Sequence, residues 1–292
     1  MTYDLYLGDY TYSSWSLRAY LLFDRFSIPV STHMIWFGED RSVGEGLAAF
    51  GVDARTVPTV VIDKTTTIGD SLAIAEELAS RHPDAGYWPD DAAARARARW
   101  LAAEMHSGFA PLRSACPMDL RRAYRGFEPD AAVLENLAGI EQIWTFARAE
   151  GGSDTPWLCG RYSIADAFFA PVAARIATFD LPVGDVAQAY VAAHLADPSF
   201  RRWRSMALAE GNDLSWYAQD LPERPWPGPA VQRAEVVESG PAINYQCPYS
   251  GGPVTHFLEL DGAVWGFCNA FCRDKTAFDP DAWDAFVALR GG

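Results

Sequence analysis

Apolar residues cluster over residues 3 to 8 and return at helical spacing over residues 14 to 26, which predicts a strand, a polar loop from Asp9 to Ser13 and a first helix closed off by Pro29. A second strand is expected over residues 31 to 37. The run Thr56-Val57-Pro58-Thr59-Val60-Val61-Ile62 is almost wholly β-branched, and Asp63-Lys64 turns it into residues 65 to 68, so the two segments read as a hairpin. Gly69-Asp70-Ser71 then opens an apolar helix from Leu72 onward that stops at Arg81-His82-Pro83. The predicted order is β-α-β, an irregular stretch, then β-β-α.

From residue 92 to about residue 216 the period changes to three and four, with Ala, Leu, Arg and Trp recurring, and this half is predicted to be all helix. Pro222, Pro225, Pro227, Pro229 and Pro241 make residues 219 to 245 an ordered wrap or a linker, because proline neither sustains a helix nor donates to a sheet. Residues 246 to 292 read as a small separate module, two short strands around Asp261-Gly262 and a final helix. The division expected is therefore 1–83, 92–218, 219–245 and 246–292.

Composition narrows the functions open to such a chain. With 49% apolar and 21% charged residues, 292 residues can bury a core. The net charge of -14 would repel a phosphate backbone or an anionic membrane, so neither is an expected partner. Five cysteines and the absence of a secretion signal at Met1-Thr2-Tyr3-Asp4 point to a soluble protein of the reducing cytoplasm.

Ser13 and Ser14 stand where the first loop meets the first helix, with outward amide hydrogens and the positive end of the helix dipole behind them. A thiolate placed there would be stabilised; alternatively the serines only cap the helix. Val57-Pro58 fits a cis proline that exposes the Val57 backbone to an extended peptide, and an ordinary trans proline is the alternative. Asp70 suits an ammonium group and Ser71 a carboxylate, with plain capping as the other reading.

Together, Tyr12-Ser13-Ser14-Trp15-Ser16-Leu17-Arg18, Val57-Pro58 and Gly69-Asp70-Ser71-Leu72-Ala73-Ile74 resemble the glutathione-binding half of a cytosolic glutathione transferase in order and spacing. The resemblance implies a thioredoxin-like α/β domain followed by an all-helical domain, over about the first 216 residues. Gly160-Arg161-Tyr162-Ser163-Ile164-Ala165-Asp166 resembles the second domain's signature, in which Ser163 and Asp166 cap a buried helix and serve folding rather than catalysis.

Carried over, the resemblance implies that the Ser13 hydroxyl, with Ser14 beside it, contacts the glutathione sulfur. Val57 would pair with the cysteinyl part, and Asp70 with Ser71 would hold the γ-glutamyl end. The pattern is most similar to the zeta class, which includes maleylacetoacetate isomerases, but departs from it with Trp15 in place of cysteine, Leu17 in place of tryptophan, Asp70 in place of glutamate, and Thr56 where a basic or amide side chain is common. The second-substrate pocket is expected between Trp15 and the helix over residues 95 to 113, where Trp100, Glu104, Met105 and Gly108 recur at helical spacing. His106 lies one position off that stripe. A homodimer is also implied.

Cys247-Pro248-Tyr249-Ser250-Gly251 followed by Gly266-Phe267-Cys268-Asn269-Ala270-Phe271-Cys272 has the spacing of a treble-clef metal site and resembles a degenerate YHS or TRASH type of metal-binding domain. Ser250 stands where that pattern has a fourth thiol, so a zinc ion would take Cys247, Cys268 and Cys272 plus His256 or a nearby carboxylate. Cys116 and Cys159 have no partner spacing.

The expected function is transfer of glutathione to a small electrophile. Two alternatives stand beside it: a non-catalytic scaffold or carrier whose terminal module binds metal or a partner, and glutathione-dependent cis–trans isomerisation of the maleylacetoacetate type.

Overall fold

The computed structural model describes residues 1–151, 155–232 and 234–291. Strands β1 (Tyr3–Gly8), β2 (Ser31–Ile35), β3 (Thr59–Ile62) and β4 (Thr66–Gly69) form one mixed sheet in the order β2-β1-β3-β4. β1 is central, parallel to β2 and antiparallel to β3. Its side chains alternate between two apolar layers. Leu5 and Leu7 enter the main core, where helices α1 (Ser14–Asp24) and α3 (Ser71–Arg81) also bury their apolar faces. Tyr6 faces the other way, into a small cluster with Ile35, Leu47 and Val52.

That second cluster depends on a helix absent from the sequence-based order, α2 (Val43–Ala48), which lies in the stretch expected to be irregular. Gly44 and Gly46 obscure its period, but Ser42 and Glu45 form a reciprocal capping box that marks its start. Gly46 is needed for contact with the sheet: a Cβ there would lie 2.6 Å from Ile35 Cγ2. The β3–β4 turn falls at Asp63 and Lys64, both at positive φ.

The second half is helical: α4 (Ala92–Ser107), α5 (Ala110–Ala115), α6 (Ala131–Gly151), α7 (Ile164–Phe179), α8 (Asp185–Ala196) and α9 (Pro198–Glu210). α7 is buried along its whole length and packs against α1, α4 and α8. Its first turn is pinned by Asp166, which accepts from Ser163 N at 2.9 Å and the Ser163 hydroxyl at 3.1 Å, and from Leu158 N and the Tyr190 hydroxyl on its other oxygen. This is the folding role expected of Ser163 and Asp166.

The proline-rich stretch contributes two short strands. Its residues Glu223–Arg224 (β6) pair with a two-residue strand, Ala123–Tyr124 (β5), placed between α5 and α6. Glu235–Val237 (β7) then forms the edge of a three-stranded sheet with β8 (His256–Leu260) and β9 (Ala263–Phe267), so the terminal sheet draws one strand from the wrap. Helices α10 (Ala270–Phe278) and α11 (Asp284–Gly291) complete it. α10 packs on α9, where Arg201 grips Asp279 through two hydrogen bonds of 2.9 and 2.6 Å, and Phe271 stacks on Tyr10. Among the described residues no helix is long and apolar enough to cross a membrane.

Candidate active site

The loop between β1 and α1 is shaped by Asp9, which is buried and accepts from Thr11 N at 2.7 Å and Tyr12 N at 3.3 Å. Burial pushes its carboxyl above the usual range despite those bonds. The turn it makes delivers Ser13 to the N-cap of α1. The Ser13 oxygen accepts from Ser16 N, and its hydroxyl donates to Ser16 Oγ at 2.8 Å. Its hydrogen-bonding capacity is therefore largely used within the helix cap.

Ser14 is arranged differently. Its Oγ accepts from Arg175 Nη2 at 2.8 Å, which leaves its own proton free to be donated elsewhere. Arg175 sits in the middle of α7, 4% exposed, with its other guanidinium nitrogens on Cys116 O and Pro171 O. Burial first, and Arg113 nearby, push it down to about 10, so it remains a cation at neutral pH.

Ser13, Ser14, Trp15 and Val57 line one cavity of about 440 Å³. The Val57-Pro58 peptide is cis, one of the two readings its sequence context left open. Arg55, Arg113 and Arg175 also line this cavity, and no Asp or Glu does so among the described residues. In a chain of net charge -14 this is a local reversal of sign. The Trp15 ring carries two guanidinium groups, Arg18 at 5.1 Å and Arg113 at 4.9 Å from its centroid. Arg18 is fully buried, and none of its three guanidinium nitrogens has a hydrogen-bond partner among the described residues; burial and then the two neighbouring arginines push it down to about 9.

Trp100, Glu104, Met105 and Gly108 do not line this cavity; Arg113 and Ser114 of α5 with Pro117 and Met118 beyond it do. α4 ends at Ser107 with Gly108 as its C-cap, and Phe109, in a left-handed backbone conformation, is the N-cap of α5, whose Arg113 guanidinium lies over the Trp15 ring. Trp100 is instead exposed and packed edge-on to Phe146, while Met105 is wholly in the core.

Asp70 and Ser71 lie at the start of α3, outside that lining. Asp70 caps the helix by accepting from Leu72 N at 2.8 Å and Ala73 N at 3.2 Å, and its other oxygen is 3.2 Å from His106 Nε2. Ser71 is fully buried, its hydroxyl without a hydrogen-bond partner among the described residues. Arg175 and Arg113 were missed by sequence reading. A lone arginine amid the apolar run of α7 was the available signal for the first, since so apolar a helix buries a cation only for a partner.

At the other end of the chain Cys247, Cys268 and Cys272 converge, their sulfurs all within 4.8 Å of one another. Burial raises the Cys247 thiol, but backbone amides of Cys268, Ser250 and Tyr249 more than offset it and bring it to about 7. Burial pushes Cys272 up to about 12. A closed structural zinc site takes four protein ligands, and these residues do not fit one. His256 is not in the group, and its Nδ1 is paired with the Thr255 hydroxyl at 2.9 Å.

Residues 12–81 match the family described as glutathione S-transferase, N-terminal domain. A thioredoxin-like α/β layer followed by a helical layer is the glutathione transferase fold, here with an additional small β module. A glutathione transferase homologue from Burkholderia gl BGR1, solved with bound glutathione, is 25% identical, with 70% of this chain and 96% of that one covered and a TM-score of 0.52. A glutathione S-transferase from Rhodospirillum rubrum F11 is 20% identical over 77% of this chain and 97% of that one, TM-score 0.51. Glutathione transferase Omega 3C from Trametes versicolor is 16% identical, covering 70% and 84% respectively, also at 0.51. Comparison with curated proteins finds no match.

Proposed function

We propose that the protein transfers glutathione to a small electrophile, with the Ser14 hydroxyl donating to the glutathione thiolate and Ser13 holding the loop that positions it. The observation that carries this reading is the Arg175 to Ser14 bond. A buried guanidinium donating to the Ser14 oxygen leaves the hydroxyl proton free to be donated to a thiolate in the cavity and adds positive potential beside it. Val57 on the facing wall would pair with the cysteinyl backbone, and Asp70 with Ser71 would hold the γ-glutamyl end. The sulfur anion then attacks the electrophilic carbon, the leaving group departs with the displaced electron pair, and the thiol proton goes to solvent.

Separate Ser13→Ala and Ser14→Ala variants test this by turnover of an aryl halide and by the pH titration of bound glutathione. Ser14→Ala should raise the thiol pKa by about one unit and lower turnover at neutral pH about tenfold, with glutathione affinity within about twofold. Ser13→Ala should mainly cost about 1 kcal/mol of stability through the lost cap. Unchanged turnover and titration in Ser14→Ala would overturn the assignment.

Arg55, Arg113 and Arg175 support a second reading, in which the electrophile carries carboxylates and the reaction is cis–trans isomerisation of a maleyl-type acid. Arg113→Ala should then weaken turnover of an acidic substrate while sparing its neutral ester; equal effects on both would exclude this reading.

A further inference from the structure

The loop that delivers Ser13 and Ser14 is anchored outside the cavity through Tyr10. This residue is 5% exposed, and its carbonyl accepts from the Trp203 indole N–H of α9 at 2.8 Å. Its ring meets aromatic neighbours from three segments: Trp203 edge-on with centroids 4.9 Å apart, Trp36 beyond β2 edge-on at 5.6 Å, and Phe271 of α10 stacked, with 14° between planes and 6.2 Å between centroids. The rest of the turn hangs on the residue before it. Asp9 accepts from Thr11 N and Tyr12 N with its side chain and from Ser13 N at 3.0 Å with its carbonyl. A shift of Tyr10 therefore shifts the backbone that places both serines. Phe271 is itself fixed: Asn269 caps the first turn of α10 by accepting from Cys272 N at 2.8 Å, and the Lys275 ammonium, one turn on, lies 5.4 Å from the Phe271 centroid. At the other end of α10 the Arg201–Asp279 pair ties the helix to α9.

We propose that Phe271 is a positioning residue for the transfer site: the terminal module completes the aromatic socket around Tyr10 and so fixes the β1–α1 loop that presents Ser14 to the glutathione sulfur. Of the three rings around Tyr10, Phe271 alone is stacked, so truncating it opens space for the Tyr10 ring to tilt. A reacting group displaced by about 1 Å can lose as much as a hundredfold in rate, so even a small tilt reaches the chemistry. On this view the module forms the outer wall of the catalytic loop, and the transferase half works at full rate only with it in place. The consequence for the chemistry rests on the transferase reading above; the hold on the loop does not.

The test compares Phe271→Ala and Phe271→Tyr with the parent, all as full-length proteins. Amide hydrogen exchange over residues 9 to 14, measured without glutathione, should be about tenfold faster in Phe271→Ala and should match the parent in Phe271→Tyr, which keeps the ring. With glutathione and an aryl halide, Phe271→Ala should lower kcat by about tenfold and raise the pKa of the bound thiol, while KM for glutathione stays within about twofold because Val57, Asp70 and Ser71 lie outside the loop. A ring that serves only folding would lower the melting temperature and leave loop exchange and thiol titration as in the parent. Should limited proteolysis show that Phe271→Ala releases the residues beyond 234, Phe271→Leu, which keeps apolar bulk without the ring, is put through the same measurements and decides. Unchanged loop exchange in the docked variant overturns the proposal, as does faster exchange accompanied by the parent's kcat and thiol titration. If the parent itself transfers no glutathione, the transferase reading falls, and loop exchange alone decides whether Phe271 positions the two serines.

Discussion

Arg175 and Ser14 are 161 residues apart in the chain, yet the guanidinium donates to the serine oxygen at 2.8 Å in the buried seam between the α/β layer and the helices. The bond ties α7 to the start of α1 and occupies one acceptor position of the Ser14 oxygen. Arg175→Lys retains the charge but not the three-way fork to Ser14, Cys116 O and Pro171 O. We expect a loss of about 2 kcal/mol in urea unfolding, from acceptors left unpaired in the interior, together with a higher thiol pKa for bound glutathione. A variant with unaltered stability and titration would show that the fork contributes to neither.

The Asp70 carboxylate is shared between the α3 cap and His106. Since this contact is partly exposed, its contribution is small, up to about 1 kcal/mol. His106→Gln should therefore raise KM for glutathione by up to about fivefold and leave kcat and the melting temperature unchanged. A fall in kcat at constant KM would place His106 in the chemistry and contradict this positioning role.

His194 determines how the fold responds to acid. It is 1% exposed among the rings of Trp157, Tyr162 and Tyr190, and burial pushes its pKa down to about 3 from an ordinary 6.5. A histidine depressed in the folded state contributes stability that is fully present above pH 6.5 and is lost as pH falls from there toward 3. At pH 5 the loss is about 2 kcal/mol. Asp166 opposes it: burial raises its carboxyl to about 6, so its own contribution grows as pH falls from 6 toward 3.8. Comparing urea unfolding at pH 7.5 and 5, His194→Phe should be less acid-sensitive than the parent. An identical pH dependence would mean that other groups govern acid unfolding.

Asp279 joins the terminal module to α9 through its two hydrogen bonds with Arg201 and is itself 6% exposed. Removing it leaves a largely buried guanidinium unpaired, at a cost of about 3 kcal/mol. Asp279→Ala should therefore expose residues beyond 234 to limited proteolysis before the rest of the chain. Cleavage no faster than in the parent protein would show that apolar contacts such as Phe271 on Tyr10 suffice to hold the module.

Much of this architecture is local and was legible in the residues. The β1 and α1 periods, the Asp63-Lys64 turn and the start of α3 follow from hydrogen bonding and side-chain direction within a few positions. The α2 helix was missed, because its glycines hid the apolar period, although Ser42 and Glu45 carried a capping signal. The α4 stripe shows the limit of such reading: spacing places Trp100 and Glu104 on one face without saying which neighbour that face meets. Here Arg113 and Ser114 of α5 line the cavity instead.

What the sequence alone determined was most of the first-domain elements and the helical character of the second half, the serines at the mouth of α1, the Val57-Pro58 segment and the convergence expected of Cys247, Cys268 and Cys272. These are encoded by spacing within single segments. Tertiary structure alone decided that Ser14 receives the arginine while Ser13 caps the helix, that the cavity is cationic, and that Ser250 donates to a sulfur. Apart from the local Ser13 cap, these are contacts between separate segments of the chain, set by how buried faces pack, and neither period nor composition specifies which atoms such packing brings within 3 or 4 Å.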